Sequence, residues 1–189
     1  MTRHPVKANS EGYHGGQPWH RARRGQEAMS EPEWLKNQPI APVETAPVKI
    51  REAEPVDIPT VSDLDARITG IPKPDYWRRA FTRYGTRPQR YFLVAERADR
   101  VCGFIIGEDR AWEFGSPPCG WIFAIGVDPA HRLAGIGTRL FEAICARMRA
   151  NGMTTVRTML ARDDALNMAF FRSQGMKGGS FIQLEMPLD

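Results

Sequence analysis

Trp121-Ile122-Phe123-Ala124-Ile125-Gly126-Val127-Asp128-Pro129-Ala130-His131-Arg132-Leu133-Ala134-Gly135-Ile136-Gly137-Thr138 is the stretch that decides the fold. Its first seven residues are almost unbroken apolar sequence, of strand length and too short to cross a membrane. Asp128-Pro129 ends that run. From Leu140 onward apolar residues return at helical spacing, at Leu140, Phe141, Ile144, Cys145 and Met148. The stretch therefore reads as strand, glycine-bearing turn, helix. A helix that opens beside Gly135 presents free backbone N–H groups and the positive end of its dipole, with no side chains in the way. Such a turn suits a phosphate or pyrophosphate.

The glycines alone do not name a ligand. A P-loop needs Lys-Ser/Thr after its second glycine, and here Thr138-Arg139 follows. A dinucleotide fold needs a third glycine and an acidic residue about twenty positions on, and neither condition is met cleanly. Gly135 and Gly137 also suit plain close packing at a strand-to-helix turn, so both readings stay open at this point.

A second segment adds to the first. Met153 to Leu160 reads as a strand, and Arg162-Asp163-Asp164-Ala165-Leu166-Asn167-Met168-Ala169-Phe170-Phe171-Arg172-Ser173-Gln174-Gly175-Met176 follows it. Together the two segments resemble the GNAT family of acyl-CoA N-acyltransferases. Its signature is Gln/Arg-x-x-Gly-x-Gly/Ala after a strand ending in Val-x-Pro, which Val127-x-Pro129 and Arg132-x-x-Gly135-x-Gly137 match. Downstream the family carries Asn, an aromatic residue seven positions later, then Gly-Phe. This chain has Asp164, Phe171 and Gly175-Met176 in those places. The resemblance covers residues 47–189.

The resemblance implies an α/β fold with a mixed, mostly antiparallel central sheet flanked by helices. It implies an acetyl-CoA-dependent N-acetyltransferase acting on a primary amine, by direct attack on the thioester. The backbone of Ile125, Gly126 and Val127 would pair with the pantetheine arm like an added strand. Arg132, Leu133, Ala134, Gly135, Ile136, Gly137 and Thr138 would wrap the pyrophosphate, with Asp164 and Phe171 completing the cofactor site. The acceptor would be a protein N-terminus, a lysine side chain or a small amine, and a homodimer is one possible assembly.

Departures from the family bear on catalysis. Many relatives place at the Phe171 position a Tyr that protonates the departing thiolate, and phenylalanine has no proton to give. Relatives with a strand base often use Glu or His at the positions of Trp121 or Phe123, or Glu at Met159. None of these three residues titrates. Replacement bases are sought in Glu108, Asp109 and Glu113, read as following the third strand and overhanging the acceptor cleft. Glu113 is singled out because flanking Trp112 and Phe114 would bury it in part and raise its pKa. Glu185 is a further candidate. Asp65, Arg67 and Tyr76 are read as lining part of the acceptor site, and His131 as a solvated turn residue. A rival function is a non-catalytic acyl-CoA-binding sensor or interaction module, which the missing Tyr and strand carboxylates favour.

Composition sets the frame. The chain has 189 residues and a formal net charge of +4, which suits a polyanionic cofactor and makes no strong case for nucleic acid. No stretch reads as a membrane span or a secretory signal, so a cytoplasmic location is expected. Cys102, Cys119 and Cys145 fit neither a zinc site nor a disulfide framework, and no metal is expected. Residues 1–46 are rich in Pro, Gly, Gln, Glu and Arg and read as a disordered tail, in which Met29 is an alternative start. His4, His14 and His20 lie in it at spacings that fit no compact metal site.

The remaining elements follow from pattern. A strand is expected over Val48–Arg51, then a helix over Ile58–Ile68 with Asp57 as N-cap. A second helix is expected over Tyr76–Tyr84 with Asp75 as N-cap and Trp77, Ala80, Phe81 and Tyr84 as its apolar stripe. Tyr91–Ala95 and Val101–Ile106 read as a hairpin across Glu96–Arg100. A last strand is expected over Ser180–Met186.

Overall fold

A computed structural model describes residues 46–188, except residues 86, 132 and 133 and the side chain of Glu113. The expected tail therefore lies, but for Ala46, outside the described residues. Five strands form one sheet in the order β1-β2-β3-β4-β5. They are β1 (Lys49–Glu52), β2 (Arg90–Arg97), β3 (Arg100–Arg110), β4 (Cys119–Val127) and β5 (Val156–Arg157). The first three junctions are antiparallel and β4 pairs with β5 in parallel. This is the mixed, mostly antiparallel α/β sheet read from the sequence.

Four helices flank it: α1 (Ile58–Thr69), α2 (Pro74–Tyr84), α3 (Ile136–Ala150) and α4 (Ala165–Ser173). Alternating strand residues divide the core between the two sheet faces. Leu93, Cys102, Ile105 and Ile122 pack with Ile136, Leu140, Ile144 and Met148 of α3 and with Phe171 of α4. Phe92, Val94, Phe104 and Ile106 pack with Val61 and Leu64 of α1 and with Trp77 and Ala80 of α2. Ile136, Leu140, Ile144 and Met148 are almost fully buried. Each such side chain contributes ~1.5–3 kcal/mol by leaving water, so burial of this stripe carries α3.

Several local expectations are corrected. Asp57 is the N-cap residue of α1, as expected, but its side chain makes no capping bond: its carboxylate accepts from the Glu54 backbone N–H at 2.7 Å and from Arg51 at 2.6 and 2.8 Å. Helix α2 begins at Pro74, whose fixed φ suits the first turn, so Asp75 lies inside the helix and pairs with Arg78. The β2–β3 turn is only Ala98-Asp99, both at positive φ. That pair lacks the Asn-Gly signal of a two-residue hairpin, so both strands run longer than their apolar residues.

The expected strand over Met153–Leu160 reduces to Val156–Arg157. Ser180–Met186 forms no strand at all. A two-residue edge offers too little hydrogen-bond ladder to recruit it. Phe181 instead lies under the Arg157 guanidinium, 4.3 Å from its ring centroid. Ile182, Leu184, Met186 and Leu188 are exposed.

Candidate active site

The turn after β4 combines three features of an anion site. Gly135 sits at the N-cap of α3 in the left-handed region, at φ 69°, which only glycine adopts freely. A Cβ built on it would meet nothing within 4 Å among the described residues, so these leave the space before the helix open. The first-turn N–H groups have no acceptor within the helix and face that space. Gly137 answers to a different demand. A Cβ there would come within 3.1 Å of the Phe170 ring, so its lack of a side chain lets α3 and α4 meet. The close-packing reading thus holds at Gly137, while Gly135 leaves the room that an anion site would need.

The remaining expected contacts divide. Ala134 packs against the core and Ile136 is buried, so both offer backbone alone. The Thr138 hydroxyl accepts from Gln174 Nε2 at 3.2 Å. Arg132 and Leu133 lie outside the described residues. Asp164 is the N-cap of α4, accepting from the Asn167 backbone N–H at 3.1 Å and from its side-chain amide at 2.8 Å. Phe171 is buried against Phe141 and Phe170, with ring centroids 6.0 and 5.1 Å away.

Strand β4 supplies a free edge. It meets β5 only at Gly120 and Trp121. From Ile122 to Val127 it pairs with β3 on one side, and among the described residues no strand covers the other. Ile125, Gly126 and Val127 lie on this edge and lead toward the α3 N-terminus. An extended arm carrying a terminal anion fits that arrangement: the arm adds along the edge and the anion meets the helix. The β3–β4 register skips Phe123, a bulge that marks where β4 loses its β5 partner.

Glu108 and Asp109 lie within β3 and do not follow it, because the strand continues to Arg110. Glu108 stands opposite Arg90 on β2 and opposite Trp121 on β4. It is buried, 2.9 Å from Arg110 Nε and 3.6 Å from Arg90 Nε. Asp109 faces the other way, accepting from Tyr91 Oη at 2.8 Å and Asn151 Nδ2 at 3.1 Å. Burial, then the bond to Asp109, holds the Tyr91 phenol well above its ordinary range. Glu113 lies in a single 3-10 turn, Glu113–Gly115. Its neighbours Trp112 and Phe114 are exposed, and its own side chain, with the burial expected of it, lies outside the described residues.

The other candidates are engaged as follows. Asp65 is buried and accepts from Trp77 Nε1 at 3.0 Å and Lys73 Nζ at 2.9 Å, tying α1 to α2. Tyr76 is exposed and meets Trp77 edge-on. Glu185, in the irregular C-terminal segment, accepts from Gln183. His131 closes the short turn after β4, its N–H donating to the Asp128 carbonyl at 2.8 Å.

Sequence reasoning missed one residue. Tyr84, read only as part of an apolar stripe, is half-buried at the C-terminus of α2. Its ring lies 4.7 Å from that of Phe123, at the bulge. Burial, then the charge of Glu108, pushes its phenol above the ordinary value. Its position as the last stripe residue before Gly85 was the available signal.

The chain matches the acetyltransferase (GNAT) family over residues 58–176. It is 30% identical over 88 residues to L-2,4-diaminobutyric acid acetyltransferase of Nocardia farcinica, a match covering 47% of this chain and 44% of that one. It is 31% identical over 91 residues to mycothiol acetyltransferase of Kocuria rhizophila, covering 47% and 30%. The match thus spans less than half the length of either curated relative. Among solved structures, aminoglycoside N-acetyltransferase AAC(6')-Iy with CoA superposes at a TM-score of 0.67 and 14% identity, covering 75% of this chain and 95% of that one. A transcriptional regulator from Bacillus halodurans C-125 superposes at 0.63 and 21% identity, covering 75% and 100%. At these identities both show the fold.

Proposed function

The chain belongs to the GNAT acetyltransferase family, and from that premise we propose that it moves an acetyl group from acetyl-CoA to a primary amine of a small molecule. The observation that carries this reading is the free β4 edge running into the glycine-opened α3 N-terminus. Small-molecule acceptors are favoured over a protein N-terminus or a lysine side chain because both curated relatives are named for small molecules.

Acetyl-CoA, when bound, supplies an activated acyl thioester. The neutral amine nitrogen attacks the thioester carbonyl carbon; the C–N bond forms, the C–S bond breaks and the sulfur leaves as thiolate. Ile125, Gly126 and Val127 would hold the arm by backbone bonds, and the α3 N-terminus the pyrophosphate, so that the thioester end lies toward the Phe123 bulge. The Tyr84 phenol, beside Phe123, keeps its proton at neutral pH and would give it to the thiolate. Glu108, with an arginine on each side, is a candidate base and also holds both arginines in place.

A second reading, acyl-CoA binding without turnover, is favoured by the burial of Phe171 where relatives carry a proton donor. Thiol release dependent on an added amine separates the two. The enzyme predicts amine-dependent release, and the binding module predicts affinity for acetyl-CoA without it. We place the protein in the cytoplasm, where acetyl-CoA is available; no helix among the described residues is long and apolar enough to cross a membrane. A homodimer is compatible with this function and not required by it.

A further inference from the structure

Beyond the end of α2, the sheet face that carries α1 and α2 holds a row of side chains set one per strand. Arg90, Glu108 and Trp121 are direct cross-strand neighbours, so their side chains share that face. Arg110, two residues after Glu108 on the same face, places its guanidinium 4.8 Å from the Trp121 ring centroid. Tyr84 and Phe123 form the opposite wall. Arg83 and Arg90 bring their guanidiniums to 5.4 and 5.7 Å from the Tyr84 ring centroid. An open cleft of about 370 Å³ adjoins this group, lined in part by Arg87, Arg90 and Glu108.

The charges in this cleft are lopsided. Arg87, Arg90, Glu108 and Asp109 line it, Arg83 lies against Tyr84 and Arg110 against Glu108 beside it, and of its two carboxylates Glu108 is directed to this face. Asp109, next in sequence, turns its carboxylate to Tyr91 and Asn151 on the far side of the sheet. A polycationic amine would meet mainly like charge here. An amine that carries its own carboxylate would bring the missing negative charge. The same guanidiniums would disfavour the ammonium form of the acceptor, helping it reach the neutral state that attacks.

We propose that this cleft selects amines bearing a carboxylate, with Arg90 the specificity-determining residue that receives that carboxylate. Arg90 suits the role by position and exposure. Its side chain is about a third exposed, at 31%; its Nε faces Glu108 at 3.6 Å and its Nη1 donates to the Arg83 carbonyl at 3.0 Å, so a ligand carboxylate would meet Nη2. A hydrogen bond between two charged groups is the stronger kind. The inference rests on the small-amine acetyltransferase reading and narrows its acceptor class.

The test uses a matched pair, L-2,4-diaminobutyrate and 1,3-diaminopropane, which share the spacing of their two amines and differ by the carboxylate. Binding to the CoA-saturated protein is measured by calorimetry and turnover with acetyl-CoA by thiol release. The diamino acid should bind and react at least tenfold better than the diamine. Arg90→Gln should narrow that ratio to within about threefold, chiefly through KM, and Arg90→Lys should restore part of it. Melting temperatures of both variants check that they fold. Equal use of the two compounds, preference for the diamine, or a preference that survives Arg90→Gln would overturn the proposal. Carboxylate-selective binding without thiol release would uphold the cleft's selectivity and overturn acetyl transfer, so the two failures are distinguishable.

Discussion

Arg67 on α1 reaches across the sheet to Asp128, its Nη2 lying 2.8 Å from Oδ2. Asp128 directly follows β4 and organises the entry to the anion-binding turn. Its Oδ1 accepts from the Ala130 N–H at 3.0 Å, and its own N–H donates to the Cys102 carbonyl at 2.9 Å. A helix on one sheet face thus braces the turn proposed to receive the donor. Arg67 is half exposed, so the pair itself contributes under ~1 kcal/mol to folding. Arg67→Ala should therefore leave the melting temperature nearly unchanged while raising the Kd for acetyl-CoA a few-fold. A large stability loss would mean the pair is structural and has no selective effect on the turn.

The open space before α3 gives a charge test at Gly135. Asn tolerates the left-handed region and is neutral, whereas Asp takes the same shape and carries a negative charge. Gly135→Asp should weaken acetyl-CoA binding at least tenfold more than Gly135→Asn, and added salt should shrink the difference. Calorimetry at two ionic strengths measures this. Equal affinities for both variants would place the pyrophosphate elsewhere.

Proton transfer is tested at Tyr84. If its phenol protonates the leaving thiolate, Tyr84→Phe should lower kcat by tenfold or more. Because burial and Glu108 raise its pKa, the wild-type rate should hold until above pH 10 before falling as the phenol ionises. That basic limb should be absent from the Tyr84→Phe profile. Glu108→Gln and Glu113→Gln separate the two base candidates. A fall of about a hundredfold with loss of the acidic limb marks the base, whereas a rise in acceptor KM alone marks Glu108 as the holder of Arg90 and Arg110.

Phe171 has a packing role that the sequence did not reveal. Phe171→Ala should cost ~3–5 kcal/mol, as deletions of buried aromatic rings do. Phe171→Tyr should keep or raise turnover if the new hydroxyl reaches the thiolate. If turnover falls and the protein also loses stability, the hydroxyl has been buried without a partner.

Acid should act first at Asp57 and Asp128. Burial pushes both carboxyls up, yet bonds from Arg51 and the Glu54 N–H in one case, and from the Ala130 N–H and Arg67 in the other, hold them below the ordinary carboxylate value. A folded-state pKa below the unfolded one means stability present above about pH 4 and lost as pH falls through the depressed value. Urea midpoints should thus decline below pH 4. Asp57→Asn should flatten that decline while lowering stability at neutral pH.

Much of the fold was legible because its patterns are local. The Trp121–Val127 strand, the apolar stripe of α3 and the Val-x-Pro and glycine spacing each specify their element without outside help. What escaped depended on partners far along the chain. Asp57 looks like a helix cap until Arg51 on β1 is seen to hold it. Ser180–Met186 has strand-like composition, but a strand needs an edge, and β5 offers two residues. The candidate site shows the same split. The turn proposed for the donor is built of consecutive residues, whereas Glu108, already a candidate from the sequence, meets Tyr84, Arg90 and Trp121 only through the packing of four elements.

The two-sided core has a practical consequence for altering this protein. The residues on the face proposed for the acceptor, such as Phe92, Val94 and Phe104, share packing with α1 and α2, whereas α3 rests on Leu93, Ile105 and Ile122 on the reverse side. Substitutions on opposite faces share few partners, so their free-energy effects should nearly add. The acceptor face can then be rebuilt by successive substitution without retuning the donor side, and variants selected separately for each should combine.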